Sequence, residues 1–216
     1  MIFWFAYSVL FVVISIFAPF KTYGRNNIDK KQNYIIVCNH KSNFDPILID
    51  MVFKKRIRYL AKVELFKNKF SAFFMKIFGG IPIDRKKGLS LSQTKSVNEL
   101  INKKQDIAIF PEGTRKDEIF ESDELKGGAC YFAIKSKTAI IPCYIVKKHR
   151  FFRRNVVLVG KSFELKEFYD KNLDREALNK ADVILKKNIL ELKNSYENYL
   201  AEKKIVKKLI KERVKK

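Results

Sequence analysis

Residues 34–53 read YIIVCNHKSNFDPILIDMVF. Their first five residues, from Tyr34 to Cys38, make a short apolar run rich in β-branched side chains. That is the pattern of a buried strand. The run ends at Asn39-His40, and Asp45-Pro46 follows. An Asp before Pro reads as a helix N-cap with Pro at the first helical position, so a helix is predicted over ILIDMVF. His40 therefore stands on a strand-to-helix loop, the place where a rigid scaffold usually presents reactive groups.

The same alternation runs outward along the chain. Residues 81–83, 106–110, 139–146 and 155–159 read as further strands. Residues 90–102 and 125–135 read as helices, and from about residue 174 one long helix is predicted. The fold class that follows is α/β: a single domain with a mixed, largely parallel sheet flanked by helices. Residues 65–78 carry Phe66, Phe70, Phe73, Phe74 and Ile77 at helical spacing, with Lys67, Lys69 and Lys76 off the apolar stripe. Two readings of that stripe stand: packing on the core, or a surface that docks on lipid or lines an acyl groove.

The first residues differ in kind. Residues 2–20 contain no charged side chain. As a helix they would run about 28 Å, close to the hydrocarbon thickness of a bilayer. A signal peptide fits less well, because a basic n-region is missing. Lys21, Arg25, Lys30 and Lys31 come next, which places the chain after residue 20 on the cytoplasmic side. The expected organisation is an N-terminal membrane anchor helix over 1–22, a catalytic domain over 23–170 and a basic amphipathic C-terminal helix over 171–216. That last helix either lies on anionic lipid or stands solvated against the domain.

The 216 residues carry a formal net charge of +22. Such a field draws polyanions: nucleic acid, an anionic bilayer or a phosphorylated substrate. No RNA-recognition motif or helix-turn-helix signature accompanies it, so nucleic acid is not an expected partner. Cys38, Cys130 and Cys143 are far apart and form no metal-ligating or CxxC pattern; they read as reduced core thiols.

Three loops after apolar strands hold the chemistry: Asn39 to Asp45, Ile83-Asp84-Arg85, and Phe110-Pro111-Glu112-Gly113-Thr114-Arg115. Loops at the carboxyl ends of strands gather into one crevice. Histidine takes and returns protons near neutrality, and a carboxylate on one ring nitrogen fixes its tautomer. Asp45 is placed to do this for His40. Either residue alone also fits a structural role. The other histidine, His149, lies in a Lys/Arg run and is expected to be exposed. Arg85 and Arg115 suit a phosphate, which guanidinium grips with paired hydrogen bonds. Gly113 lets backbone N–H groups come close to an anion.

Taken in order, these blocks resemble the PlsC-type glycerolipid acyltransferases, above all the 1-acyl-glycerol-3-phosphate acyltransferases. Asn39-His40 through Asp45 is similar to their NHxSxxD block, Ser42 included. Ile83-Asp84-Arg85 is similar to the second block, Phe110 to Arg115 to FPEGTR in full, and Ile140-Ile141-Pro142 to the fourth. Lys62 to Leu65 and Leu125 to Gly128 fall where such enzymes have similar segments. The resemblance covers residues 34–146. It implies a glycerol-3-phosphate acyltransferase-like fold with His40 as general base and Asp45 as its orienting partner. It makes Arg85, Glu112, Gly113, Thr114 and Arg115 the phosphate and glycerol site, and puts Pro142 near the acyl chain. Lys116 departs from the Ser common at that position and bears on substrate choice.

The implied reaction moves an acyl group from acyl-CoA or acyl-carrier protein onto lysophosphatidic acid. It uses no metal and no bound cofactor, and takes place among membrane lipids at the cytoplasmic face of the membrane. Competing acceptors are glycerol-3-phosphate, another lysophospholipid or an amino-acid lysolipid. A competing class is a non-catalytic, basic, membrane-tethered binding protein.

Overall fold

The computed structural model describes residues 19–84, 90–112, 125, 128–150 and 152–214, together with residues 5, 8, 9, 12 and 17; from residue 206 on it describes backbone alone. Seven strands form one sheet: β1 (Phe20–Tyr23), β2 (Ile35–Cys38), β3 (Ile57–Lys62), β4 (Gly80–Ile83), β5 (Asp106–Ile109), β6 (Ile140–Ile145) and β7 (Asn155–Val159). The helices are α1 (Asp45–Phe53), α2 (Lys69–Ile77), α3 (Leu91–Asn102), α4 (Ala129–Lys135) and α5 (Arg175–Val214). Strand order is β1-β7-β6-β2-β5-β3-β4. The run from β6 to β4 is parallel throughout, and β7 pairs antiparallel with β6 while β1 pairs parallel with β7. The sheet is thus mixed and largely parallel, as predicted.

Strand β2 sits at the centre and is buried along its whole length. Its side chains alternate between two cores, as the two-residue period of a strand requires. Ile35 and Val37 pack with Phe132 of α4, Val97 of α3 and Leu185 and Ile189 of α5, while Ile36 and Cys38 pack with Leu48, Ile49, Val52 and Phe53 of α1. A strand covered on both faces carries no polar alternation, which explains the continuous YIIVC.

Several expectations need revision. Strand β1 begins at Phe20 and pairs with β7 from Phe20↔Asn155 to Tyr23↔Leu158, so the end of the expected anchor segment belongs to the sheet. Gly24 closes that strand at φ 75°, and a Cβ there would stand 2.0 Å from the Val159 carbonyl oxygen. Among the described residues no helix is long and apolar enough to cross a membrane. Most of residues 1–18, on which the anchor expectation rests, lie outside the described residues. The helix expected from residue 65 starts at Lys69, because Asn68 caps it by accepting from the Phe70 and Ser71 N–H groups. None of its residues is buried, so core packing is not what its phenylalanines do. Helix α5 contributes Ala181, Leu185 and Ile189 to the main core; its first half is part of the domain.

Candidate active site

The carboxyl ends of β2, β3, β4 and β5 face one edge of the sheet, and the loop after β2 holds His40. Asn39 fixes where that loop begins. Its side chain is fully buried, donates to the Ile145 carbonyl at 3.0 Å and accepts from the Ile145 N–H at 2.7 Å. The carboxamide thereby acts as one more rung between β2 and β6, after the β2 backbone has turned away. Sequence reasoning gave Asn39 no role. The signals were a side-chain amide immediately after a strand and its place as the Asn of the NHxSxxD block.

His40 Nδ1 lies 2.8 Å from Asp45 Oδ2. A carboxylate has no proton to give, so Nδ1 carries the hydrogen and Nε2 is the basic nitrogen. Asp45 Oδ2 also accepts from the Lys41 and Ser42 N–H groups at 2.6 Å each. The His40 side chain is 13% exposed and that of Asp45 0%, so the base reaches the surface while its partner is sealed beneath. Asp45 is the first residue of α1 rather than its cap; the cap position is Phe44, with no side-chain cap bond. The carboxylate that should have capped the helix is taken up by the His40 loop.

Rings hold the imidazole from the side. His40 stacks on Phe110 at 4.4 Å between centroids, and Phe110 on Tyr59 at 6.3 Å. The Tyr59 hydroxyl lies 2.8 Å from both the Pro46 carbonyl and Asp50 Oδ1. A hydroxyl has one hydrogen, so it cannot donate to both. The conflict disappears if Asp50 is protonated and donates to Tyr59, which then donates to Pro46. Burial does push Asp50 up to about 8, against the hydrogen bond to Tyr59 that opposes the shift. This network ties the start of α1, and hence Asp45, to β3.

Glu112 joins the β5 loop to this centre: its Oε2 lies 3.5 Å from the His40 N–H. Asp84 is described, whereas Arg85, Gly113, Thr114, Arg115 and Lys116 lie outside the described residues. Pro142 sits within β6 beside Val37, where a Cβ on Gly160 would meet its ring at 2.7 Å; it packs inside the sheet rather than at the edge. His149 is not exposed as expected. It is half-buried and stacks on Phe44 of the His40 loop at 4.7 Å. Burial lowers its pKa, and the Asp45 charge partly opposes this.

Cys38 is buried, and burial raises its thiol well above the ordinary cysteine value, with the thiol of Cys143 adding to the effect. A thiol kept protonated in a core is a poor nucleophile. What the arrangement can support is proton abstraction by His40 at the sheet edge.

Known proteins match this arrangement. Residues 19–146 match the model of the family described as Acyltransferase. The chain is 31% identical over 139 residues to a 1-acyl-sn-glycerol-3-phosphate acyltransferase of Bacillus subtilis, covering 64% of this chain and 68% of that one. It is 31% identical over 122 residues to the enzyme so named in Streptococcus pneumoniae, covering 54% of this chain and 44% of that one. Its fold is similar to the crystal structure of the 1-acyl-sn-glycerophosphate (LPA) acyltransferase PlsC of Thermotoga maritima, with a TM-score of 0.57 at 22% identity over 88% of this chain and 76% of that one. The family match spans well over half of the chain, and the chain belongs to the acyltransferase family.

Proposed function

We propose that this acyltransferase moves a fatty acyl group from acyl-CoA or acyl-carrier protein to the 2-hydroxyl of 1-acyl-glycerol-3-phosphate, giving phosphatidic acid. The single observation that carries the mechanism is the 2.8 Å contact from His40 Nδ1 to a fully buried Asp45. It leaves Nε2 to take the proton of the acceptor hydroxyl. The hydroxyl oxygen attacks the thioester carbonyl as that proton leaves, the C–O bond forms, and the C–S bond breaks. The imidazolium returns its proton to the departing thiolate. Asp45 stabilises the imidazolium between those two events.

The names of the relatives support lysophosphatidic acid as acceptor. Arg85 and Arg115 would pair with its phosphate, with the Gly113 N–H, Thr114 and Glu112 completing the phosphate and glycerol site. The work would take place among membrane lipids, with Lys21, Arg25, Lys30 and Lys31 holding the domain at the cytoplasmic face of the membrane.

The test is product formation by the purified chain with a panel of acceptors: lysophosphatidic acid, glycerol-3-phosphate and other lysolipids. Lysophosphatidic acid is expected to be acylated fastest, and His40→Ala to abolish turnover while the protein stays folded. A folded His40→Ala protein that turns over normally sinks the mechanism. Preference for another acceptor overturns the substrate assignment, and the absence of any acyl product favours a binding protein instead.

A further inference from the structure

We infer that the outward face of α2, with the turn before it, is a second membrane-docking surface that seats the catalytic edge on an anionic leaflet. The reading begins with exposure. Phe70, Phe73 and Phe74 are 74%, 57% and 38% exposed, and Val63 and Leu65 of the preceding turn are also open to solvent. Monomeric domains rarely leave a contiguous aromatic patch uncovered without a partner for it. The Phe74 ring touches the other two, with centroids 4.8 Å apart for Phe70–Phe74 and 5.7 Å for Phe73–Phe74.

Around the helix these phenylalanines fall within an arc of roughly 100° at 3.6 residues per turn, and Lys69 and Lys76 border it on one side. From residue 62 to 78 there are four exposed lysines, Lys62, Lys67, Lys69 and Lys76, against one carboxylate, Glu64. Aromatic rings ringed by lysine match a bilayer interface carrying negative headgroups: the rings enter the acyl boundary and the ammonium groups stay at the phosphates. The charge border argues against a dry contact with a second protein, whose buried core would be depleted of lysine.

Position ties the face to the chemistry. The turn Val63–Phe66 leaves the carboxyl end of β3, the same edge from which the His40 loop leaves β2. Only β5 lies between those strands, so the two loops are separated laterally by two strand spacings, roughly 10 Å. Helix α2 also leads into β4, whose last residue, Ile83, is followed by Asp84. A bilayer touching Phe70 and Phe73 therefore lies beside the site, and an acceptor can enter from the leaflet with its acyl chain still in lipid. This last step rests on the lipid acceptor proposed above; the docking itself does not.

The experiment uses the full chain. Trp4 is the only tryptophan, so W4F/F73W carries a single reporter on the face. With vesicles of phosphatidylglycerol and phosphatidylcholine brominated in their acyl chains, its emission should shift to the blue and be quenched. An unshifted, unquenched signal overturns the docking, whatever the activity. A second variant, F70S/F73S, changes exposed residues only. Burying two phenylalanines against leaving them in water predicts a loss of roughly 100-fold in kcat/KM for vesicle-borne acceptor. Turnover of a short-chain, water-soluble lysophosphatidate should stay within about twofold. Equal loss on both acceptors would mean a structural effect and overturns the inference. So would a dimer that F70S/F73S turns into monomer with vesicle turnover unchanged. If the reporter is quenched but wild type acylates neither acceptor, the docking stands and the acyl-transfer reading falls.

Discussion

Asp45→Asn separates charge from shape at the centre of the site. Asp45 Oδ2 faces three donors: His40 Nδ1 at 2.8 Å and the Lys41 and Ser42 N–H groups at 2.6 Å. An asparagine of the same shape keeps its oxygen among them and puts its NH2 where Oδ1 now has no partner. What it removes is the negative charge opposite the imidazolium. With charge centres about 4 Å apart and an effective dielectric of about 20, that attraction is worth about 4 kcal/mol. Losing it in the transition state slows the chemical step by about a thousandfold. A flipped amide would point its NH2 at three donors and favour the wrong tautomer, which deepens the loss. The buried, unpaired NH2 costs about 1–3 kcal/mol of stability, so the variant remains foldable. The assay is kcat under saturating donor and acceptor, with thermal unfolding as control. KM for both substrates should hardly move, because Asp45 is fully buried and touches neither. A folded Asp45→Asn enzyme with kcat within tenfold of wild type, or with its loss confined to KM, would refute the assignment of Asp45.

Other outcomes follow from the same geometry. Asp50 has a folded pKa raised from 3.8 to about 8, so the native state holds a proton that the unfolded chain releases. The contribution of Asp50 to stability is fully present below pH 4, falls as pH rises towards 8 and is flat above. Asp50→Asn keeps a donor for Tyr59 and should flatten that slope, gaining up to about 6 kcal/mol at pH 9 as an upper bound; denaturant titrations across pH would show it, and an unchanged slope would reject it. Asn39→Ala strands the Ile145 N–H and carbonyl in the core, which should cost about 2–4 kcal/mol in urea unfolding and lower kcat as the loop slackens; full stability would mean the rung is dispensable. Cys38→Ala should keep kcat within about twofold, since a buried, protonated thiol takes no part; a hundredfold loss would point to covalent catalysis instead.

What the sequence displayed and what it hid divide along physical lines. Strands β2, β5, β6 and β7 were legible because each is a run of apolar residues, and such runs arise where both faces of a strand are covered. Strand β3, reading IRYLAK, was not: Arg58 and Lys62 interrupt it. Arg58 is accommodated only because Nε donates to Gln105 Oε1 at 2.6 Å, from the chain segment entering β5. Strand β1 has four residues and gains its place from β7, more than 130 positions away. The spacing of Phe70, Phe73 and Phe74 gave the helix, but spacing says only that an apolar face exists, and this one looks outward. His149 looked solvated among basic residues because its partner, Phe44, is brought to it by the sheet. In the site, His40 and Asp45 were readable because their contact is local. Asn39, Tyr59 and Asp50 were not, since each acts through a residue distant in sequence.

The five-residue spacing of His40 and Asp45 has a physical reason in this structure. A carboxylate that must orient an imidazole has to be anionic, and an anion without water needs donors. Asp45 is completely buried, so the loop itself has to supply them. It does so with the two N–H groups between base and acid, Lys41 and Ser42, folded back over Oδ2, while the Ser42 hydroxyl takes the Phe44 N–H and closes the turn. A shorter loop would lack the residues to wrap the carboxylate. A longer one would carry Asp45 past the first turn of α1 and away from the positive end of that helix. The spacing therefore meets two demands at once, giving the buried Asp45 its donors and holding His40 in one orientation. Asn39 on one side and the Asp50–Tyr59–Pro46 network on the other anchor the loop to the sheet that makes both possible.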